Sequence, residues 1–263
     1  MSVFTDKWID EHKDELVEKL QQCVRINSVR DDDSTREGAP FGEGAAKCLE
    51  DTLNTAKEMG FEVKNLDGYC GTVDYGTGEE QLGILAHLDV VPEGEGWTYP
   101  PYAAEIHDGR LYGRGTMDDK GPAFAALFGL AAVKASGVET KRRVRLILGC
   151  DEECGMGCLH HYNEVEKAPD MCFSPDASYP LVNSEKMIYN SAYRKEYTSS
   201  VRVKAGTVSN AVPGKAEVFV PVSADEVKAA VAKLNNADFT YNVSAADNGA
   251  NVVITGIAAH AST

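Results

Sequence analysis

Histidine and acidic side chains follow three short apolar runs, residues 82–86, 143–149 and 170–173, in this 263-residue chain. The side chains just after these runs are His87, Asp89, Glu152, Glu153 and Asp176. Short apolar runs bounded by turn residues predict buried strands. Because reactive groups gather beyond the carboxyl ends of strands in open α/β sheets, we expect these side chains to meet in one crevice.

A fourth acidic group, Asp118, lies between the first two runs in the glycine-rich segment 113–122. This segment leads into a stretch dominated by Ala, Leu and Phe, which predicts a buried helix over residues 122–135 that ends near Gly137. Since the helix dipole favours a carboxylate near the amino end, we expect Asp118 to join the same crevice.

Imidazole nitrogens and carboxylate oxygens are common zinc ligands, and catalytic zinc sites keep one position open for water. His87 suits such a site, and Asp89 is spaced to hold its other ring nitrogen. Of the adjacent glutamates, one can bind metal while its neighbour acts as general base on a water whose pKa the metal lowers. The alternative is that these acids are solvated strand ends. Their recurrence on successive elements makes this the weaker interpretation.

Composition excludes several classes of partner. The formal net charge of -15 disfavours nucleic acid and anionic membrane surfaces. The first residues lack the apolar core of a signal peptide, and no apolar run approaches the ~20 residues of a spanning helix. We therefore expect no nucleic acid partner, no membrane partner and a cytoplasmic location.

Seven scattered cysteines also favour a reducing compartment over a disulfide scaffold. Cys150, Cys154 and Cys158 recur every four residues, with His160 and His161 close behind. They could form a structural zinc site, but such sites favour tighter pairs. Buried free thiols are the favoured interpretation.

Periodicity predicts two domains. Residues 1–187 are predicted to form an α/β domain with amphipathic helices at 8–26 and 44–59. It would also contain the three strands that precede the polar side chains and a hairpin around Asp108 and Gly109. From 188 to 263 the pattern changes to α+β. The strands predicted there are 197–203, 218–222, 239–243 and 251–255, with one helix at 224–234.

The polar segments resemble those of the dinuclear zinc metallopeptidases that include aminoacylase, carboxypeptidase G, succinyl-diaminopimelate desuccinylase and dipeptidase V. The matching segments are AHLDVVP at 86–92, GRGTMDDKG at 113–121, DEECG at 151–155 and SPDA at 174–177. The runs GWTYPP and SPDASYP look most like the dipeptidase V branch. The resemblance implies an α/β zinc-peptidase catalytic domain with a mixed sheet between helices, incomplete at its C-terminal part, and a partial α+β lid domain.

The resemblance also implies a metal centre. Asp118 would bridge two zinc ions, with His87 and Asp176 completing one ion's protein ligands and Glu153 serving the other. Relatives often keep only the first acid of the Asp118-Asp119 pair, so Asp118 is chosen. The ligand types equally accept cobalt or manganese.

Four further roles follow from the resemblance. Glu152 would be the general base and Asp89 the acid that orients His87. In the lid, His260 would help hold the oxyanion of the tetrahedral intermediate, and Asn210 would contact substrate.

Two hypotheses about function result. The first is a hydrolase, a metallopeptidase that cleaves dipeptides or small N-acyl amino acids with metal-activated water. The second is a catalytically incompetent fragment that binds metal or needs a partner chain. Relatives of the dipeptidase V type continue beyond a position equivalent to 263 and supply a final zinc-binding histidine. We therefore expect either self-association or a complementing C-terminal chain.

Overall fold

The computed structural model describes residues 3–178, 182, 184, 191–194, 199–206, 211–234, 236–257 and 259–260, with 211, 259 and 260 described by their backbone alone. The chain divides into two compact units, Met1–Glu185 and Lys186–Thr263. The boundary predicted after residue 187 lies outside the described residues. Of the helices described, none is long and apolar enough to cross a lipid bilayer.

The first unit combines helices with a mixed sheet. Its described helices are α1 (Val3–Val24), α2 (Glu43–Glu58), α3 (Lys120–Ala135) and α4 (Gly157–Val165). Its described strands are β1 (Glu62–Leu66), β2 (Cys70–Tyr75), β3 (Gln81–His87), β4 (Glu105–His107), β5 (Arg110–Tyr112), β6 (Arg143–Gly149) and β7 (Met171–Phe173). Five strands form one sheet in the order β1-β2-β6-β3-β7, and β4 and β5 form the predicted hairpin. The predicted α/β class is confirmed.

The register of the parallel strands positions the polar segments. β3 pairs with β6 from Gln81 opposite Arg143 to His87 opposite Gly149. β7 lies parallel to β3 on its other side. The segments that follow these three strands therefore leave the same edge of the sheet, as predicted for open α/β sheets.

Apolar burial explains why these elements form. The sequence LIL in β6 is buried, and α3 buries a face that includes Phe124, Leu127 and Phe128. The buried side chains of α1, α2, α3 and the sheet belong to one hydrophobic cluster. This core gives the sheet edge a rigid base, because its side chains are almost entirely removed from water and buried interiors are close-packed.

The second unit is a smaller α+β structure, as its sequence pattern predicts. Its described elements are β8 (Arg202–Ala205), β9 (Ala211–Val212), β10 (Lys215–Val220), α5 (Ala224–Val231), β11 (Thr240–Ala246), β12 (Gly249–Thr255) and β13 (Ala259–His260). Four antiparallel strands follow the order β11-β12-β10-β8, and β13 pairs with β9. Ser223 and Glu226 form a capping box that begins α5, whose Val227 packs with Ala250 and Val252.

Three local predictions require correction. The run at 170–173 forms β7, but its three residues are exposed rather than buried, because β7 is at the edge of the sheet. Helix α4 is absent from the sequence-based prediction, because only Cys158 and Tyr162 of its nine residues are buried and its apolar pattern is too short to recognise. All seven cysteines are free thiols. Cys150 and Cys158 are buried as predicted, but Cys154 is exposed. Among the described residues, no group of potential metal ligands includes these cysteines.

Candidate active site

His87 is the last residue of β3 and its side chain is almost fully buried. Its Nδ1 donates a hydrogen bond to the backbone oxygen of Asp89 at 3.0 Å, so Nε2 is the ring atom that faces the carboxylates. Nε2 lies 3.1 Å from Asp118 Oδ1, 3.5 Å from Asp176 Oδ2 and 3.9 Å from Glu152 Oε2. The acids that follow separate strands therefore converge on one imidazole.

The convergence produces two overlapping groups of potential ligands. One contains His87, Asp118 and Asp176, and the other contains His87, Glu152 and Glu153. In each group, one ligand atom per residue can be chosen so that all lie within 4.8 Å of one another. The described structure thus brings together all the residues that the sequence suggested as metal ligands, with the suggested general base beside them.

Asp89 makes hydrogen bonds that the sequence did not predict. Its Oδ1 and Oδ2 accept the backbone N–H groups of Glu152 and Glu153, each at 3.1 Å. Its Oδ1 also lies 3.4 Å from His87 Nδ1, although the backbone oxygen of Asp89 makes the shorter contact with that nitrogen. One buried carboxylate therefore links the histidine to the backbone of both glutamates. The spacing of the sequence could not reveal this link.

The adjacent acids Asp118 and Asp119 have different environments. The side chain of Asp118 is 59% exposed and reaches His87 Nε2. Asp119 is fully buried, its Oδ2 accepts the backbone N–H of His87, and its Oδ1 has no hydrogen-bond partner among the described residues. Burial raises the pKa of Asp119 to about 7. Of the two acids, Asp118 is the one whose side chain reaches His87 Nε2.

Lys120 anchors the start of α3 beside these acids. Its fully buried Nζ donates to the backbone oxygens of Cys23 at 3.0 Å and Ile26 at 2.8 Å, at the end of α1. A buried ammonium is tolerated where carbonyl oxygens replace its water. The segment that carries Asp118 is thereby tied to the hydrophobic core.

Burial, followed by the charges of neighbouring groups, shifts the pKa values of the two glutamates. Burial, reinforced by the charge of Asp118, raises the pKa of Glu153 to about 7, and burial also raises the pKa of Glu152. Burial opposes a charged His87, yet hydrogen bonds to Asp118, Asp176 and Asp89 raise its pKa above the ordinary value. A single imidazole faces several carboxylates, so the donor set is suited to a divalent cation.

Two predicted site residues, Asn210 and His260, have no described side chain. Asn210 is outside the described residues, and only the backbone of His260, in β13, is described. Their suggested roles stay predictions. Among the described residues, His107 belongs to neither group of potential ligands. Its ring stacks on Tyr99 and hydrogen-bonds Glu105.

Sequence reasoning missed two residues that support the site. Asp151 precedes the glutamates and is buried, and Arg30 donates to it at 2.9 Å. The position of Asp151 at the end of β6 was a usable signal. Arg30 offered none, because 121 residues separate the two in sequence.

Comparison with known proteins agrees with this geometry. The sequence model of the peptidase family M20/M25/M40 matches residues 83–256. YtjP of Bacillus subtilis (strain 168), provisionally named a dipeptidase, is 40% identical over 216 residues, which are 79% of this chain and 47% of YtjP. The Beta-Ala-Xaa dipeptidase of Lactobacillus delbrueckii subsp. lactis is 35% identical over 263 residues, 95% of this chain and 55% of that protein.

Among solved structures, human carnosine dipeptidase 1 is similar with a TM-score of 0.52 and 26% identity, over 61% of this chain and 37% of that one. The chain spans about half the length of the curated relatives it matches. The resemblance inferred from the motifs is confirmed, because the family match covers more than half of the chain and contains His87, Asp118 and Asp176. This chain belongs to the peptidase family M20/M25/M40.

Proposed function

We propose that this chain carries the metal centre and general base of a zinc-dependent dipeptidase, which hydrolyses the amide bond of dipeptides or small N-acyl amino acids. The observation that carries the proposal is the convergence of Asp118, Asp176 and Glu152 within 3.9 Å of His87 Nε2. The dipeptidase names of the similar bacterial proteins support the substrate class.

The described side chains suit distinct roles. His87, Asp118 and Asp176 would hold one ion, and Asp118 with Glu153 would hold a second. A bound zinc ion supplies Lewis acidity, which polarises a carbonyl and lowers the pKa of water. Zinc is favoured on the family resemblance, and cobalt or manganese would suit the same oxygen and nitrogen donors.

Glu152 would act as the general base toward the attacking water. Its side chain is 34% exposed, so it faces the accessible side of the cluster while its backbone N–H is held by Asp89. It would take a proton from the attacking water and pass it to the leaving amine. Burial raises the pKa of Glu152, and a base works best when its pKa approaches the working pH.

The proposal includes a cytoplasmic location. All seven cysteines are free, and the sulfurs of Cys23 and Cys48 lie 3.4 Å apart without a bond. Free thiols in such proximity suit a reducing compartment.

Hydrolysis by the purified chain tests the proposal. The 263-residue chain is treated with a chelator, dialysed, and assayed on a β-alanyl dipeptide, an α-linked dipeptide and an N-acetyl amino acid. We expect no hydrolysis by the metal-free chain and restored hydrolysis of at least one dipeptide after zinc is added, because the water needs the metal to become a nucleophile near neutral pH.

The outcomes separate the two hypotheses about function. Hydrolysis that survives chelation would contradict the metal-dependent mechanism. Zinc binding without hydrolysis of any of the three substrates would favour the alternative, in which another chain must complete the site. A complementing chain or a second copy would then be sought by light scattering.

A further inference from the structure

Asp151 directly precedes the two glutamates of the site in the sequence. It lies two residues beyond the end of β6, and its side chain is only 3% exposed. Arg30, from the segment between α1 and α2, donates from Nη1 to Asp151 Oδ1 at 2.9 Å. In the part of the chain that the structure describes, Arg30 is the one basic side chain paired with this carboxylate. The ion pair therefore connects the segment between α1 and α2 with the segment between β6 and α4.

Asp151 also closes the turn that carries the glutamates. Its Oδ2 accepts the backbone N–H of Gly157 at 3.0 Å, and its backbone oxygen accepts the N–H of Met156 at 2.7 Å. Glu152 and Glu153 lie inside this closed turn. Any movement of Asp151 would therefore move the backbone from which both glutamates project.

Arg30 is itself held by two further contacts. Its Nε donates to Asp32 at 2.8 Å, and its guanidinium carbon lies 5.5 Å from the ring centre of Phe41. The buried Phe41 ring also lies against Gly157, where an added Cβ would approach it to 3.2 Å. The guanidinium group of Arg30 and the ring of Phe41 thus pack at the end of the turn near Gly157. Planar guanidinium groups are well suited to such stacked and paired positions.

Removal of Arg30 would leave the Asp151 charge buried without a cationic partner. Such a carboxylate is strongly disfavoured and must gain water or protonate. Either change would disturb the hydrogen bond that the Asp151 side chain accepts from Gly157. The hydrogen bonds from the N–H groups of the glutamates to Asp89 would remain.

We propose that Arg30 and Asp151 form a positioning pair that fixes the backbone of Glu152 and Glu153 for metal binding and proton transfer. Neither residue contacts the reacting atoms. The inference rests on the proposed function for its catalytic consequence. Its structural consequence, a rigid turn over residues 151–157, is independent of turnover.

The test compares Arg30→Met with Arg36→Met. Arg36 lies in the same segment, but its partner is Glu43 and both side chains are more than half exposed. We expect Arg30→Met to weaken zinc binding by about 10–100-fold, the usual cost of removing an outer support of a metal ligand. Competition with a chromophoric chelator measures this affinity. Arg36→Met is expected to bind zinc like the parent chain.

Two further measurements separate positioning from a general loss of structure. Amide hydrogen exchange over residues 152–157 should accelerate in Arg30→Met while exchange in β3 and β6 stays slow. Arg30→Lys keeps the charge and should recover part of the zinc affinity. In active protein, kcat should fall more than KM rises, because the substrate-binding surface is unchanged.

A double variant keeps the inference testable if Arg30→Met does not fold. Arg30→Met/Asp151→Ala removes the pair and the acceptor of the Gly157 N–H without leaving a buried charge, and it should fold with weakened zinc binding and faster exchange in the turn. Parent-like affinity and exchange in either folded variant would overturn the inference. If the parent chain binds zinc without hydrolysing dipeptides, that result favours the alternative in which another chain completes the site, whereas affinity and exchange still decide the positioning role.

Discussion

Replacement of Glu152 by Gln is expected to lower kcat by about 10²–10⁴-fold, the usual contribution of a general base. Glutamine keeps the size of the side chain but cannot accept the proton of the attacking water. The backbone N–H that anchors residue 152 to Asp89 is unaffected. We therefore expect folding and zinc binding to be retained while turnover is lost.

Steady-state kinetics on a dipeptide, with zinc content measured on the same samples, checks this expectation. Glu164→Gln is the matched control, because Glu164 lies on the exposed side of α4 in the described structure. A kcat for Glu152→Gln close to that of the control, with equal zinc content, would assign proton transfer to another group.

Replacement of Arg145 by Met is expected to cost about 3–5 kcal/mol of unfolding free energy, as when one partner of a buried ion pair is removed. Arg145 in β6 is 1% exposed. Its Nε and Nη2 each donate to Asp74 at 2.8 Å, and its Nη1 donates to Glu166 at 2.8 Å. Methionine fills similar space but leaves two carboxylates without this partner.

Urea denaturation measures the loss, with Arg142→Met as control. Arg142 pairs with Glu80 at 2.8 Å, but the two side chains are 46% and 63% exposed. An exposed pair contributes less than about 1 kcal/mol. Equal effects of the two substitutions would show that the Arg145 network is not a source of stability.

The same network predicts a pH dependence. The hydrogen bond from Arg145, followed by that from Lys64, lowers the pKa of Glu166 in the folded chain. Its stabilising contribution is therefore complete above the unfolded pKa of glutamate and is lost as pH falls through the lower folded value. Arg145→Met should reduce this part of the acid-side loss of stability, which denaturation at several pH values would detect.

Much of the fold follows from local sequence patterns. The strand predicted at 143–149 coincides with β6, because a run of apolar residues is bounded by charged and glycine positions. Helix α1 begins at Val3, earlier than the predicted residue 8, since its first turns bury little apolar surface. Local periodicity reports burial, so weakly buried elements escape it.

The site was predictable to a similar degree. His87, Asp118 and Asp176 stand out because each follows or precedes a regular element whose end reaches the same sheet edge. The hydrogen bonds from the glutamate N–H groups to Asp89 and the pairing of Arg30 with Asp151 could not be foreseen. They depend on contacts across 63, 64 and 121 residues, which no local pattern encodes.

Zinc binding by the purified chain, measured by elemental analysis after dialysis, tests the central claim most directly. His87→Asn removes the ring shared by both ligand groups, and His107→Asn removes a histidine of the β4–β5 hairpin. We predict stoichiometric zinc in the parent chain and in His107→Asn, and its loss in His87→Asn. Equal zinc in all three proteins, or none in the parent chain, would contradict a metal centre at the end of β3.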